Sequence, residues 1–269
     1  MSLGRGLLIL ASVGALALLA RSVLIAPIPL WIAMAAFGSY VVIAAAGYFQ
    51  PRLEMYADVV WRGPSRVAQV ALTFEGGPHP RHTREVLKLL ESFEAKATFF
   101  VYGHKVEAHP EVANEIVARG YGLGIRGYAP DRWLNFRSPN QIMQDLDKAL
   151  TAIDNATATR PILFRPPHGH IGPRLDTAAT RLGLTLVLGS VRASDAFSKV
   201  SSKNIIARVQ RGLRPGSIIV LHDAVEGDDC RPASLDALAG VLGAIHAQGL
   251  RCVDIVQLLE VDEEPSHRR

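Results

Sequence analysis

The chain has 269 residues, with 29 Lys and Arg against 25 Asp and Glu, a formal charge of +4 and 49% hydrophobic content. The charge is mild and the basic residues are scattered without a long run, which excludes the electrostatic footprint of a nucleic-acid-binding protein. With an apolar amino-terminal block of about 50 residues set aside, about 200 remain, enough for one domain with one core.

In that block, Gly6 to Ala20 is uncharged until Arg21 interrupts it, and Pro27 and Pro29 then mark a bend. Pro29 to Phe49 is uncharged and long enough for a bilayer core, which takes about 20 residues. Trp31, Tyr40, Tyr48 and Phe49 are aromatics suited to membrane interfaces. Residues 1–50 therefore read as an integral membrane anchor of one or two transmembrane helices. A cleaved signal peptide competes, because Arg5 followed by an apolar core and small residues has that form. Two crossings would leave both ends on one side; one crossing would place the domain opposite the amino terminus. Arg5, Arg52, Arg62 and Arg66 outnumber Arg21, a bias toward cytoplasmic flanks too small to fix the side. Residues 51–66 read as a juxtamembrane linker, 67–260 as the folded domain and 261–269 as a solvated tail.

Beyond Val67, short β-branched runs followed by turn residues predict strands: Val67 to Phe74, Ala97 to Val101, Ile162 to Phe164, Leu184 to Leu188 and Ser217 to Leu221. Helical periodicity lies between them. Thr83 to Phe93 carries Val86, Leu87, Leu90 and Phe93 on one face, and Ser138 to Ile153 carries Ile142, Leu146, Leu150 and Ile153. Pro110 opens another helix, and Ala233 to Gln248 stops at Gly249. Alternating strand and helix predicts parallel strands with crossover helices, an α/β barrel or a doubly wound sheet. Cys230 and Cys252 lack the spacing of a zinc knuckle; a disulfide is possible between them, and two separate thiols are the simpler reading.

Parallel α/β folds place chemistry at the carboxyl ends of strands. Three polar clusters sit at such ends: Thr73-Phe74-Glu75-Gly76-Gly77-Pro78, Phe164-Arg165-Pro166-Pro167-His168-Gly169 and Val220-Leu221-His222-Asp223. Singly, each has an ordinary reading as a tight turn, a surface ion pair or a capping histidine. Together and in this order they resemble the first, third and fifth motifs of the NodB-homology polysaccharide deacetylases. Ala97-Thr98-Phe99-Phe100-Val101, Gly122-Leu123-Gly124 and Arg214-Pro215-Gly216-Ser217 match the same pattern, so the resemblance covers about Val67 to Glu260. It implies an irregular (β/α) barrel and metal-dependent removal of acetyl groups from amino-sugar glycans.

In the family, zinc or another divalent metal is held by one Asp and two His, beside an Asp base and a His acid. By that resemblance Glu75 stands at the base, His222 at the acid, Arg165 at the residue steadying the base, and Asp195 at the residue tuning the acid. Pro166, Leu221 and Tyr128 are the implied substrate contacts. The ligand positions hold Gly76, Arg126 and Pro130, none of which offers a side-chain donor to a cation. No metal ligand and no resident cofactor are therefore expected at these positions. A rebuilt cluster of Glu75, His79, His168 or His222 lacks ligand spacing, and solvated loop histidines are the simpler reading. Arg126 is expected instead to fill the vacated space and pair with Glu75.

Three functional readings follow. The domain is a pseudoenzyme that binds a glycan or a lipid-linked amino sugar, or that holds a partner at the membrane as a scaffold; or it is an active carbohydrate N-deacetylase using rebuilt ligands or a metal-free Glu75/His222 route; or it is a structural part of a membrane assembly. The sugar, the acyl group and the oligomeric state leave no trace in the residues.

Overall fold

Two helices open the chain, α1 (Leu3–Leu24) and α2 (Leu30–Phe49), joined by the turn that carries Pro27 and Pro29. The coordinates are those of a computed structural model, which describes residues 2–193, 200–225 and 230–260. Ser2 caps α1 by accepting a hydrogen bond from the Arg5 amide, and Pro29 precedes α2, where a missing amide proton costs nothing. Both helices expose apolar side chains around most of their circumference, including Leu10, Leu16, Trp31, Phe37 and Val42. Each is long and apolar enough to cross a membrane. At about 1.5 Å per residue they reach the roughly 30 Å of a hydrocarbon core.

The segment expected as a linker is packed rather than free. Met55, Ala57 and Val59 are buried, Val60 forms a parallel bridge with Val187, and Arg62 bridges Ser217. Arg52 donates to the carbonyl of Gly189 at 3.1 Å.

The domain then runs β1 (Gln69–Glu75), α3 (His82–Ser92), β2 (Thr98–Val101), α4 (Gly103–Ala108), α5 (Pro110–Ala118) and β3 (Gly122–Ile125). It continues through α6 (Pro139–Thr157), β4 (Leu163–Phe164), α7 (Pro173–Arg181), β5 (Thr185–Leu186), β6 (Val191–Arg192) and α8 (Ser202–Gly212). The last elements are β7 (Ile218–His222), α9 (Ala233–Ala247), β8 (Arg251–Val253) and α10 (Ile255–Glu260). The strands form one parallel sheet in the order β5-β4-β3-β2-β1-β7-β6, with β8 also paired to β1. It curls into an incomplete barrel with helices outside, as expected from the alternation of strand and helix. Ser138 and Gln141 close a capping box on α6, which fixes where that helix begins.

Strand alternation divides the core. Val70, Leu72 and Phe74 of β1 face the helices, in a cluster with Leu87, Phe99, Ile219 and Leu221. Ala71 faces the barrel interior with Phe100, Leu163, Val187 and Ile218, where Ile255 and Leu258 of α10 join them. The Ile255 amide donates to Thr98 Oγ1 at 3.0 Å, so α10 covers the amino end of β2. The carboxyl ends of the strands are left to the polar residues. Cys230 and Cys252 are both free thiols.

Candidate active site

Glu75 and His222 are the last residues of β1 and β7, and the parallel register sets them side by side. Glu75 is buried, with His222 Nε2 3.8 Å from its Oε2. Arg165 follows the end of β4, and its amide is held by the carbonyl of Ile125. Its guanidinium, 2% exposed, lies over the Phe100 ring at 4.0 Å. From there Nη1 donates to Glu75 Oε1 at 3.1 Å and to the Thr73 hydroxyl at 2.8 Å. Arg126 follows the end of β3, and its Nη1 pairs directly with Glu75 Oε2. The expected Arg126–Glu75 pair is thus formed, and one carboxylate carries two guanidinium groups.

The electrostatics follow from that clamp. Burial pushes the Glu75 carboxyl up, but Arg126, Arg165 and His222 outweigh it and bring the group down to about 2. Burial and the neighbouring Arg126 draw Arg165 down to about 10 against the pull of Glu75. Arg126 is lowered by burial and raised further by Glu75, with a net upward displacement. Arg126 Nε and Arg165 Nη2 are buried donors without a hydrogen-bond partner among the described residues.

The loop after β1 is fixed by residues that sequence reasoning passed over. Asp223, the residue after His222, is buried and accepts from the Gly77 amide at 3.1 Å and from the Thr83 hydroxyl at 2.6 Å. Lys105 Nζ donates to the Gly76 carbonyl at 2.7 Å. Burial raises the Asp223 carboxyl, with the Thr83 hydrogen bond and Lys105 opposing. Asp223 and Thr73 both stood in quoted motifs without an assigned role; Thr83 and Lys105 had no signal in the sequence.

The other expected site residues divide. Pro166 is buried beside Arg165 and shapes the loop. Leu221 lies opposite His222 by the strand period of two, in the helix-side core with Phe74, and Val220 is the β7 neighbour on the His222 face. Tyr128 donates its hydroxyl to Glu107 at 2.9 Å and lies under Lys148 Nζ at 3.6 Å, so α4 and α6 hold its ring instead of the Glu75 group. Asp195 lies outside the described residues. His79 stacks on His82 with centroids 4.0 Å apart, and His168 is an exposed loop residue, so neither joins Glu75.

The residues at the three positions that the family resemblance assigns to ligands do not fit a divalent metal. Gly76 has φ +97, and a Cβ added there would stand 2.2 Å from the Ala224 carbonyl oxygen. Arg126 brings a permanent cation, and Pro130 has no donor atom in its ring. Among the described residues, no three of His, Cys, Asp and Glu gather in a way that could hold a metal ion.

Comparison with known proteins gives a common picture. Residues 62–187 match the family model described as polysaccharide deacetylase. A peptidoglycan-N-acetylglucosamine deacetylase of Bacillus cereus is 29% identical over 208 residues, covering 77% of this chain and 95% of that protein. A chitooligosaccharide deacetylase of Sinorhizobium fredii is 30% identical over 203 residues, covering 72% and 93%. Among solved structures, a peptidoglycan N-acetylglucosamine deacetylase superposes with TM-score 0.72 at 28% identity, over 80% of this chain and 97% of that one.

Proposed function

The chain belongs to the polysaccharide deacetylase family, and from that premise we propose a membrane-anchored member that has lost metal-dependent deacetylation and binds a glycan or a lipid-linked amino sugar. The observation that carries this reading is the double clamp on Glu75. A general base works best with a pKa near the operating pH. A carboxylate held at about 2 by two guanidinium groups is a poor proton acceptor at neutral pH. Arg126 supplies a fixed positive charge where the family relies on a metal, so the barrel keeps its electrostatic balance without one. A glycan ligand is supported by the relatives, which are named for deacetylation of peptidoglycan N-acetylglucosamine and of chitooligosaccharide.

Localisation belongs to the same proposal. Helices α1 and α2, with the domain packed at the ends bearing Ser2 and Phe49, favour a two-pass hairpin with both termini on one side. A signal sequence is the competing source of such helices near the amino terminus.

One observation favours an active enzyme. His222 Nε2 remains 3.8 Å from Glu75, the separation of two groups able to share a proton relay through a short rearrangement. Acetate release from N-acetylglucosamine oligomers, measured with zinc, cobalt, manganese or no metal, separates the readings. The proposal expects no release above buffer and measurable oligosaccharide binding. Release abolished by both Glu75→Ala and His222→Ala would replace it with the active enzyme.

A further inference from the structure

The membrane helices end at the mouth of the barrel. Strands β3 and β4 are parallel, so the chain after each, residues 126–137 and 165–172, stands on the carboxyl-end face that carries Glu75. The last turn of α2 arrives at the same face. Tyr48 stacks on His170 with centroids 5.2 Å apart, and Phe49 meets the His170 ring edge-on at 5.3 Å. Tyr48 also lies 6.3 Å from Phe136, which lies 5.7 Å from Trp133.

These contacts join α2 to a set of aromatic side chains left largely exposed among the described residues. Trp133, Phe136 and Phe49 are 63%, 61% and 62% exposed. The loop that carries Trp133 and Phe136 is built rather than slack. Leu134 is buried, the Trp133 amide donates to Asp131 Oδ1 at 2.8 Å, and Asn135 donates to the His170 carbonyl at 3.0 Å. Basic side chains flank it: Arg132 is exposed, Arg137 pairs with Asp131, and Arg174 donates to the Phe136 carbonyl at 3.1 Å. Aromatics with an adjoining cationic fringe are the composition of a membrane-interface belt.

We propose that Trp133, Phe136 and Phe49 seat the mouth of the barrel in the headgroup and acyl boundary of a lipid bilayer, so that the site opens at the membrane surface. This rests on the membrane reading of α1 and α2. Continuity with α2 selects a bilayer as the occupant, because the patch begins where an apolar span ends. A glycan carried on a lipid would reach a site so placed without leaving the headgroup layer.

The full chain in phosphatidylcholine and phosphatidylglycerol vesicles tests this. With Trp31→Phe and Trp61→Phe, Trp133 is the sole tryptophan; with Trp61→Phe and Trp133→Phe, Trp31 is. Lipids with a nitroxide near the glycerol are expected to quench Trp133 strongly, and lipids labelled deep in the chain to quench it weakly. Quenching of Trp31 with none at Trp133 overturns the docked mouth while the hairpin remains inserted. Failure of both to quench, with a chain that does not float with the vesicles, overturns the membrane reading itself. In the unaltered chain, a photoactivatable lipid labelled near its glycerol should mark peptides covering 131–137; marking confined to 3–49 contradicts the proposal.

Discussion

Glu75 is in contact with both Arg126 and Arg165, and most of what is distinctive in the site follows from that arrangement. A buried carboxylate brought from 4.5 to about 2 contributes on the order of 3 kcal/mol to folding. The folded-state value is depressed, so this stability is present above about pH 4.5 and is lost as the pH falls toward 2. Asp223, raised by burial, acts with the opposite sign, and the difference between parent and Glu75→Gln isolates the Glu75 part. Chemical denaturation from pH 7 to pH 2.5 should show Glu75→Gln less stable by about 3–5 kcal/mol at pH 7, since it leaves buried cations unpaired, with the gap narrowing in acid. Arg126→Ala should cost less, about 1.5–3 kcal/mol, because Arg165 still serves the carboxylate. At Gly76, φ +97 and the nearby Ala224 carbonyl make Gly76→Asp a strained substitution, costing about 1–3 kcal/mol by thermal melting. Glu75, Arg165 and His222 were readable because each lies at or just past a strand end in a recognisable phrase. The facing of Leu221 required strand phase, and the partners of Tyr128 required helices distant in sequence.

At the scale of elements, the hairpin is fastened to the domain through short contacts. Ser2 Oγ donates to the Glu54 carbonyl at 2.9 Å, and Tyr56 donates its hydroxyl to the Ala44 carbonyl at 2.8 Å. A Cβ at Gly4 would stand 2.0 Å from the Leu53 carbonyl oxygen, so Gly4→Val is expected to part α1 from the 51–55 segment. Limited trypsinolysis in vesicles should then cut at Arg52 faster than in the parent; an equal rate would show that this contact does not hold the segment. Strands rich in branched residues, such as β1 and β7, were evident from composition alone. β3 was not read as a strand, because Gly122-Leu123-Gly124-Ile125 is half glycine and takes its extended form from pairing with Thr98 to Val101. The two-residue β6 and the three-residue β8 are too short for any periodicity to register. The 51–66 stretch looked like a linker because its bridges to Val187 and Ser217 are made by isolated residues in an otherwise irregular segment.

Over the whole molecule, family membership rests on sequence and fold, and the proposed loss of metal-dependent catalysis rests on the site alone. The fold is that of a polysaccharide deacetylase, while the positions that the family resemblance assigns to metal ligands carry a glycine at φ +97, a guanidinium in an ion pair and a proline. The central proposal is that a cation supplied by the chain takes the place of one supplied by solution. It is tested most directly by the metal content of the purified full chain, measured by mass spectrometry after growth with added zinc and dialysis. The account predicts far less than one metal ion per chain, unchanged in Glu75→Gln; one tightly held zinc per chain, lost in Glu75→Gln or His222→Ala, would contradict it.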